Sequence, residues 1–260
     1  MNKSESNSEY FRRYRGLLGF TNQGDAKSFL GAKDIAAPVS EKYAASLVAR
    51  IRQIAKKYSI VVNNVTIPED MEMFCKQKID FPYEQILNNK LLPRLNNQGR
   101  RPEDVLFSWL RGYMTAEFFA TPLAQIFECD DFESIGQDDF SSYHTFKRAP
   151  TADYSACVNG KRVHFEIQSG FQSISDIKQH KVIEAKKIAR ESGSLSVCVH
   201  VDIFNGQCAF VRLDTIEDND INWVSRQQME GQTVFCIDQN DFKWRLSDSP
   251  PSLSDLEIDI

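Results

Sequence analysis

Asp153, Glu166 and Gln168 are the residues whose types and spacing could do chemistry together, and they lie in one stretch, PTADYSACVNGKRVHFEIQSG, at 150–170. Asn159-Gly160 separates two runs of strand character. Asn-Gly is the strongest short signal for a two-residue hairpin turn, because both central residues must tolerate positive φ. A hairpin of 153–158 with 161–168 is therefore expected. Alternation along its second strand puts Val163, Phe165 and Ile167 on one face and His164, Glu166 and Gln168 on the other. Pairing brings Asp153 alongside, so two carboxylates converge. Such a pair with open coordination positions suits a hard cation such as Mg2+, which keeps several waters and takes one or two carboxylates together with substrate phosphate oxygens.

This segment resembles the catalytic hairpin of the PD-(D/E)XK nuclease superfamily, to which many restriction endonucleases belong. Asp153 matches the acid that opens one strand of the pattern, with Pro150 three residues earlier rather than adjacent. Glu166-Ile167-Gln168 matches the second half, with Gln168 where the family's Lys normally stands; some active restriction enzymes of the superfamily carry Gln there. The resemblance implies Mg2+ held by Asp153, Glu166 and the backbone carbonyl of Ile167, with Gln168 orienting the attacking water. It also implies a double-stranded DNA substrate and a two-fold homodimer in which each subunit cuts one strand. A helix ahead of the hairpin often supplies a further acid in this superfamily. That makes Glu117 a third carboxylate candidate, beside the plain reading of a partly exposed helix acid.

The elements that must position these residues are legible on both sides of the hairpin. Pro102-Glu103-Asp104 is a strong helix start, and the apolar run that follows predicts a buried helix to about Phe127, bent at Pro122. Residues 128–140 read as an acidic loop and 141–148 as a first strand. Beyond the hairpin, a helix capped by Ser173 or Ser175 is expected to reach Glu191 and stop at Gly193. Alternating Leu195, Val197, Val199, Val201 and Ile203 predict a strand, turned by Asn205-Gly206 into another at 207–213. The expected fold is α/β, with a restriction-endonuclease-like αβββαβ core, a mixed central sheet and an N-terminal helical elaboration.

Upstream, Ser40 caps a helix with apolar positions from Ala44 to Tyr58, 59–67 reads as a short strand or hairpin, and brief helices fit 69–78 and 82–95. Arg12, Arg13 and Arg15 are interleaved with Phe11, Tyr14 and Phe20, which suits phosphate contacts and stacking, or else the wet side of an amphipathic helix. Arg100, Arg101, His164 and Lys181 complete the candidate DNA contacts. Lys161, Lys178 and Lys181 are the lysines placed to bring charge to the site or, on the plainer reading, to lie on the surface. Three units are expected: 1–100, mainly helical, for DNA contacts or dimerisation; 101–215, the catalytic core; 216–260, a C-terminal elaboration with an acidic tail.

At 260 residues and 42% hydrophobic, the chain can bury a substantial core. A net charge of -5 argues against a general polyanion coat and leaves room for basic residues confined to a cleft. Asp248, Asp255, Glu257 and Asp259 concentrate acidity at the end, which reads as a solvated, disordered tail. The six cysteines show neither zinc nor disulfide spacing and read as small core residues, and the histidines lack H-E-x-x-H spacing. No Walker loop, dinucleotide fingerprint or nucleophile elbow is present. With no apolar leader and no membrane-length apolar run, a cytoplasmic protein is expected. The functional expectation is a type II restriction endonuclease. Its rivals are a repair or recombination nuclease of the same fold, a DNA-binding module without catalysis, and an α/β interaction protein with an accidental motif.

Overall fold

The structure, a computed structural model, describes residues 7–32, 34–62, 64–95, 100–136, 152–171, 175–226 and 232–260. The strand expected at 141–148, Pro150, and the cap candidate Ser173 lie outside them.

Helices α1 (Asn7–Leu17) and α2 (Gln23–Leu30) come first. The apolar side expected of α1 is not buried: Tyr10, Phe11, Tyr14 and Leu17 are all exposed. In α3 (Glu41–Val61) the Ser40 hydroxyl accepts from the Tyr43 amide, and Ala44, Val48, Ile51, Ala55 and Tyr58 are buried at helical spacing. Among the described residues of 59–67 no strand or hairpin follows Tyr58. Residues 59–61 extend the helix and the Val62 amide closes on the Tyr58 carbonyl, because the anchored Tyr58 turn overrides the β-branched preference of Ile60 and Val61. The two brief helices are one helical run, α4 (Met71–Cys75) and α5 (Phe81–Asn88) joined by a π turn, Lys76–Asp80. Pro82 has no amide to give the carbonyl four residues earlier, and the ladder widens there. Helix α6 (Pro102–Ile126) starts where its sequence says and runs through Pro122.

Next come β1 (Glu133–Ser134), β2 (Tyr154–Val158), β3 (Lys161–Gly170), β4 (Asp176–Lys178), α7 (Gln179–Ser192), β5 (Leu195–Asp202), β6 (Gln207–Arg212), β7 (Trp223–Arg226), β8 (Gln232–Cys236) and β9 (Phe242–Arg245). One sheet has the order β1-β2-β3-β5-β6-β9, and the other β4-β8-β7. Within the larger sheet β3 and β5 are parallel and the remaining pairs antiparallel. The fold is thus α/β with a mixed central sheet; α6, β2, β3, α7 and β5 come in the expected order, while β1 falls in the stretch expected to be an acidic loop and β4 intervenes between β3 and α7.

The Asn159-Gly160 turn forms as expected, with φ of 49° and 77°. The second Asn-Gly does not make a two-residue turn. Asp202 pairs with Gln207, leaving a four-residue loop whose amides at Phe204 and Asn205 donate to the Asp202 carboxylate, and only Gly206 takes positive φ. Helix α7 begins later than expected because 176–178 pairs with β8 as strand, so Ser175 is not its cap; Gly193 does end it, at φ 71°. Strand β5 is buried at every position, its polar residues included, since α7 and the small sheet cover the face that alternation would leave wet.

Two cores result. The larger joins α3, α6 and one face of the main sheet; the smaller joins α7, β4, β8 and the other face. The acidic tail is ordered against the larger: Leu256 is 1% exposed, Ile258 and Ile260 pack beside it, Lys243 pairs with Glu257, and Arg212 donates to the Asp259 carbonyl. Apolar residues between the acids make the difference. All six cysteines are free, and Cys157, contrary to expectation, is exposed. Among the described residues no helix is long and apolar enough to cross a membrane.

Candidate active site

Asp153 stands one residue before β2, where the strand leaves the ladder. Its amide donates to the Phe165 carbonyl at 2.9 Å, and its Oδ2 accepts the Ile167 amide at 2.8 Å. The carboxylate therefore takes the place of the backbone acceptor that a longer β2 would have supplied. Tyr154 and Phe165 are the last ladder pair, and because the Asp153 amide also reaches the Phe165 carbonyl, Asp153 sits beside the 165–167 stretch of β3. Alternation turns Glu166 away from the face of Phe165 and Ile167. A strand residue directs its amide and carbonyl to one edge, so the Ile167 carbonyl faces the Asp153 side as well.

Glu166 Oε2 meets Lys181 Nζ, from the first turn of α7, at 2.8 Å; the two side chains are 14% and 25% exposed. Beside them is a hollow of about 30 Å³ lined by Ala152, His164, Glu166, Lys181, Glu184 and Ser196, among others. Burial, and secondarily Arg162, hold the His164 imidazole below its ordinary pKa. Gln168 shares the Glu166 face, and its Nε2 donates to Cys198 Sγ at 3.1 Å. Burial pushes that thiol far up, reinforced by the Glu166 charge. Level with Gln168 on β5 is His200, 3% exposed, whose ring nitrogens have no partner among the described residues. Burial pushes its imidazole down to about 4, against the opposing pull of Asp202 and Asp176.

Glu117 is placed elsewhere. Its Oε2 pairs with Lys78 of the π turn at 2.5 Å, and its Oε1 accepts the Tyr154 hydroxyl at 3.0 Å, on the sheet face opposite Glu166. The structure thus ties Asp153 to Ile167, between Glu166 and Gln168 on β3, and holds Glu117 in a separate contact. Among the described residues no group of three or more His, Cys, Asp or Glu side chains is arranged to hold a metal ion. Two carboxylates and one carbonyl, all oxygen donors, fit a hard cation that keeps several waters; they do not fit a closed zinc site.

The candidate DNA contacts divide. Arg12 and Arg13 are exposed on α1 and Arg15 is half-buried there; the Arg13 guanidinium lies 5.5 Å from the Tyr10 ring. Arg100 donates to the Asp104 carbonyl and to Ser108, and Arg101 pairs with Glu103 and stacks over Tyr43 at 4.7 Å, so both arginines serve the start of α6. Sequence reasoning did not foresee Cys198 and His200 beside Gln168. The alternating apolar residues of β5 predict the strand and not what covers its other face, where a Cys and a His signal burial.

No family model and no curated protein sequence matches the chain. Among solved structures it is similar to Hjc, a Holliday junction resolvase from the archaeal hyperthermophile Archaeoglobus fulgidus, at 13% identity and a TM-score of 0.30, over 48% of this chain and 94% of that one.

Proposed function

We propose that the chain is a Mg2+-dependent DNA endonuclease of the PD-(D/E)XK type, acting as a type II restriction enzyme on a short sequence in double-stranded DNA. The observation that carries the reading is Asp153, its carboxylate locked to the Ile167 amide next to Glu166 in sequence, where β2 leaves the sheet. Asp153, Glu166 and the Ile167 carbonyl would hold Mg2+. When bound, the ion lowers the pKa of a coordinated water and offsets charge on the phosphate under attack. The protein's part is placement. The Ile167 amide fixes the Asp153 carboxylate, and the sheet fixes Glu166. Gln168, held through Nε2 by Cys198, offers its amide carbonyl to orient the water, and adds no charge as a Lys would.

Residues 101–215 are assigned the chemistry, 1–100 the DNA and dimer contacts, and 216–260 a supporting role. The exposed arginines and aromatic rings of α1 support the second assignment; Arg100, Arg101 and His164 are further contacts in the same proposal. A homodimer cutting both strands completes it, in the cytoplasm.

The test is cleavage of a large unmethylated phage DNA with and without Mg2+, beside Glu166→Ala. Discrete fragments that need Mg2+ and vanish in the variant are expected. Smears or structure-specific nicks would replace the restriction reading with a repair or recombination nuclease. Intact DNA that is still bound would leave a module without catalysis.

A further inference from the structure

Lys181 occupies the wrong end of a helix for a cation. Amides at a helix N-terminus carry partial positive charge and favour acids. In α7 the first turn has no acidic residue, no side chain caps the amides, and Lys178 adds to the positive character. The Glu166 carboxylate, 2.8 Å from Nζ, offsets that charge. A second observation marks the same corner. Ser196 is 5% exposed, its hydroxyl has no partner among the described residues, and it lines the hollow that Glu166, Lys181 and His164 share. The helix end favours an anion and the protein's own Glu166 carboxylate occupies it, with Glu184 lining the same hollow.

We propose that Lys181 is a cation with two positions: it neutralises Glu166 while no divalent ion is held there, and yields that carboxylate when one binds, its ammonium then pairing with a phosphate oxygen of the DNA backbone. The inference rests on the endonuclease reading above. An ammonium at 2.8 Å competes with a divalent ion at roughly 2.1 Å for the same carboxylate, because the two cations repel each other across it. Lysine suits the exchange, because its ammonium is strongly hydrated and rides on a flexible four-carbon stem, here partly open to solvent. The uncapped amides of α7 favour the same anionic oxygen. Gln168 can donate and accept hydrogen bonds but brings no charge, so the positive charge at this site comes from the helix rather than from the strand.

Calorimetric titration of the full chain with Ca2+, a hard cation of the same ligand preference, tests the first position. A short duplex titrated with and without Ca2+ tests the second. Lys181→Met is expected to bind Ca2+ about two- to five-fold more tightly, the size of a partly exposed ion pair removed as competitor. It should bind the duplex about ten-fold more weakly with Ca2+ present and no differently without it. Lys181→Gln, checked by thermal melting, guards against a folding defect peculiar to Met. Unchanged Ca2+ affinity, or a DNA defect that ignores Ca2+, would overturn the two-position cation. Glu166→Gln separates the failures. If it binds Ca2+ as the parent does, the metal site and this inference fall together. If it loses Ca2+ while both Lys181 variants match the parent, only the role of Lys181 falls.

Discussion

Asp153 Oδ2 accepts the Ile167 amide at 2.8 Å, so one carboxylate serves as a ladder acceptor and as a proposed metal ligand. Asp153→Asn keeps an acceptor and removes the charge. It is expected to abolish Mg2+-dependent cleavage with little change in urea midpoint. Asp153→Ala also orphans the amide and should cost about 1 kcal/mol more in stability. Equal midpoints for the two variants would deny the ladder role. His200 gives a prediction in pH. Its buried imidazole titrates at about 4 in the folded chain, against roughly 6.5 when unfolded. Between those values the unfolded chain binds the extra proton, so stability rises with pH across that window. The contribution is intact above about pH 6.5, declines as pH falls, and levels off below about pH 4, a loss of roughly 3 kcal/mol at most. His200→Phe should remove this part of the acid sensitivity, read as the difference between parent and variant urea midpoints at about pH 7 and about pH 4.5.

The elements of the site were legible to different depths, for physical reasons. The β2–β3 hairpin was plain, because Asn159-Gly160 dictates its turn and alternation dictates which face Glu166 takes. The second Asn-Gly looked the same in sequence, but Asp202 captures the loop amides and changes the turn, a side-chain contact that dipeptide chemistry does not contain. Strands β4, β7 and β8 were missed, since each is short and gains its stability only by covering α7 and β5. Glu117 was recognised as an acid in an apolar helix; its partner came from a π turn whose geometry depends on Pro82. There it ties three elements together, α6, the π turn and β2. Glu117→Ala strands a partly buried lysine and a buried tyrosine hydroxyl, and should destabilise by about 1–3 kcal/mol. Glu117→Gln keeps the acceptor for Tyr154 and should cost less. Neither variant should change divalent-ion affinity, measured by calorimetry; a large loss of affinity would return Glu117 to the metal site.

At the scale of the molecule, the two ends of the chain do opposite things with their apolar residues. The first end reads as arginines interleaved with aromatic rings and the last as acidic, and composition does not say where the intervening apolar side chains go. At the C-terminal end Leu253, Leu256, Ile258 and Ile260 pack on the large core, which also holds Phe165 and Ile167 of β3. At the other end α1 and α2 leave Tyr10, Phe11, Tyr14, Leu17, Leu18, Phe29 and Leu30 exposed, a concentration that an isolated soluble surface rarely carries. Removing 252–260 should therefore lower stability by about 2–5 kcal/mol, as expected when buried leucine and isoleucine side chains are lost from a core. Removing 1–32 should leave the melting temperature of the dilute chain nearly unchanged, because so little of that segment is buried. If those helices serve the proposed DNA and dimer contacts, the same deletion should lower the sedimentation coefficient from the dimer to the monomer value, or weaken duplex binding with a shallower salt dependence as arginine–phosphate contacts disappear. Melting that drops as far as in the C-terminal deletion, with sedimentation and duplex binding unchanged, would make the N-terminal helices part of the scaffold and remove them from the interface.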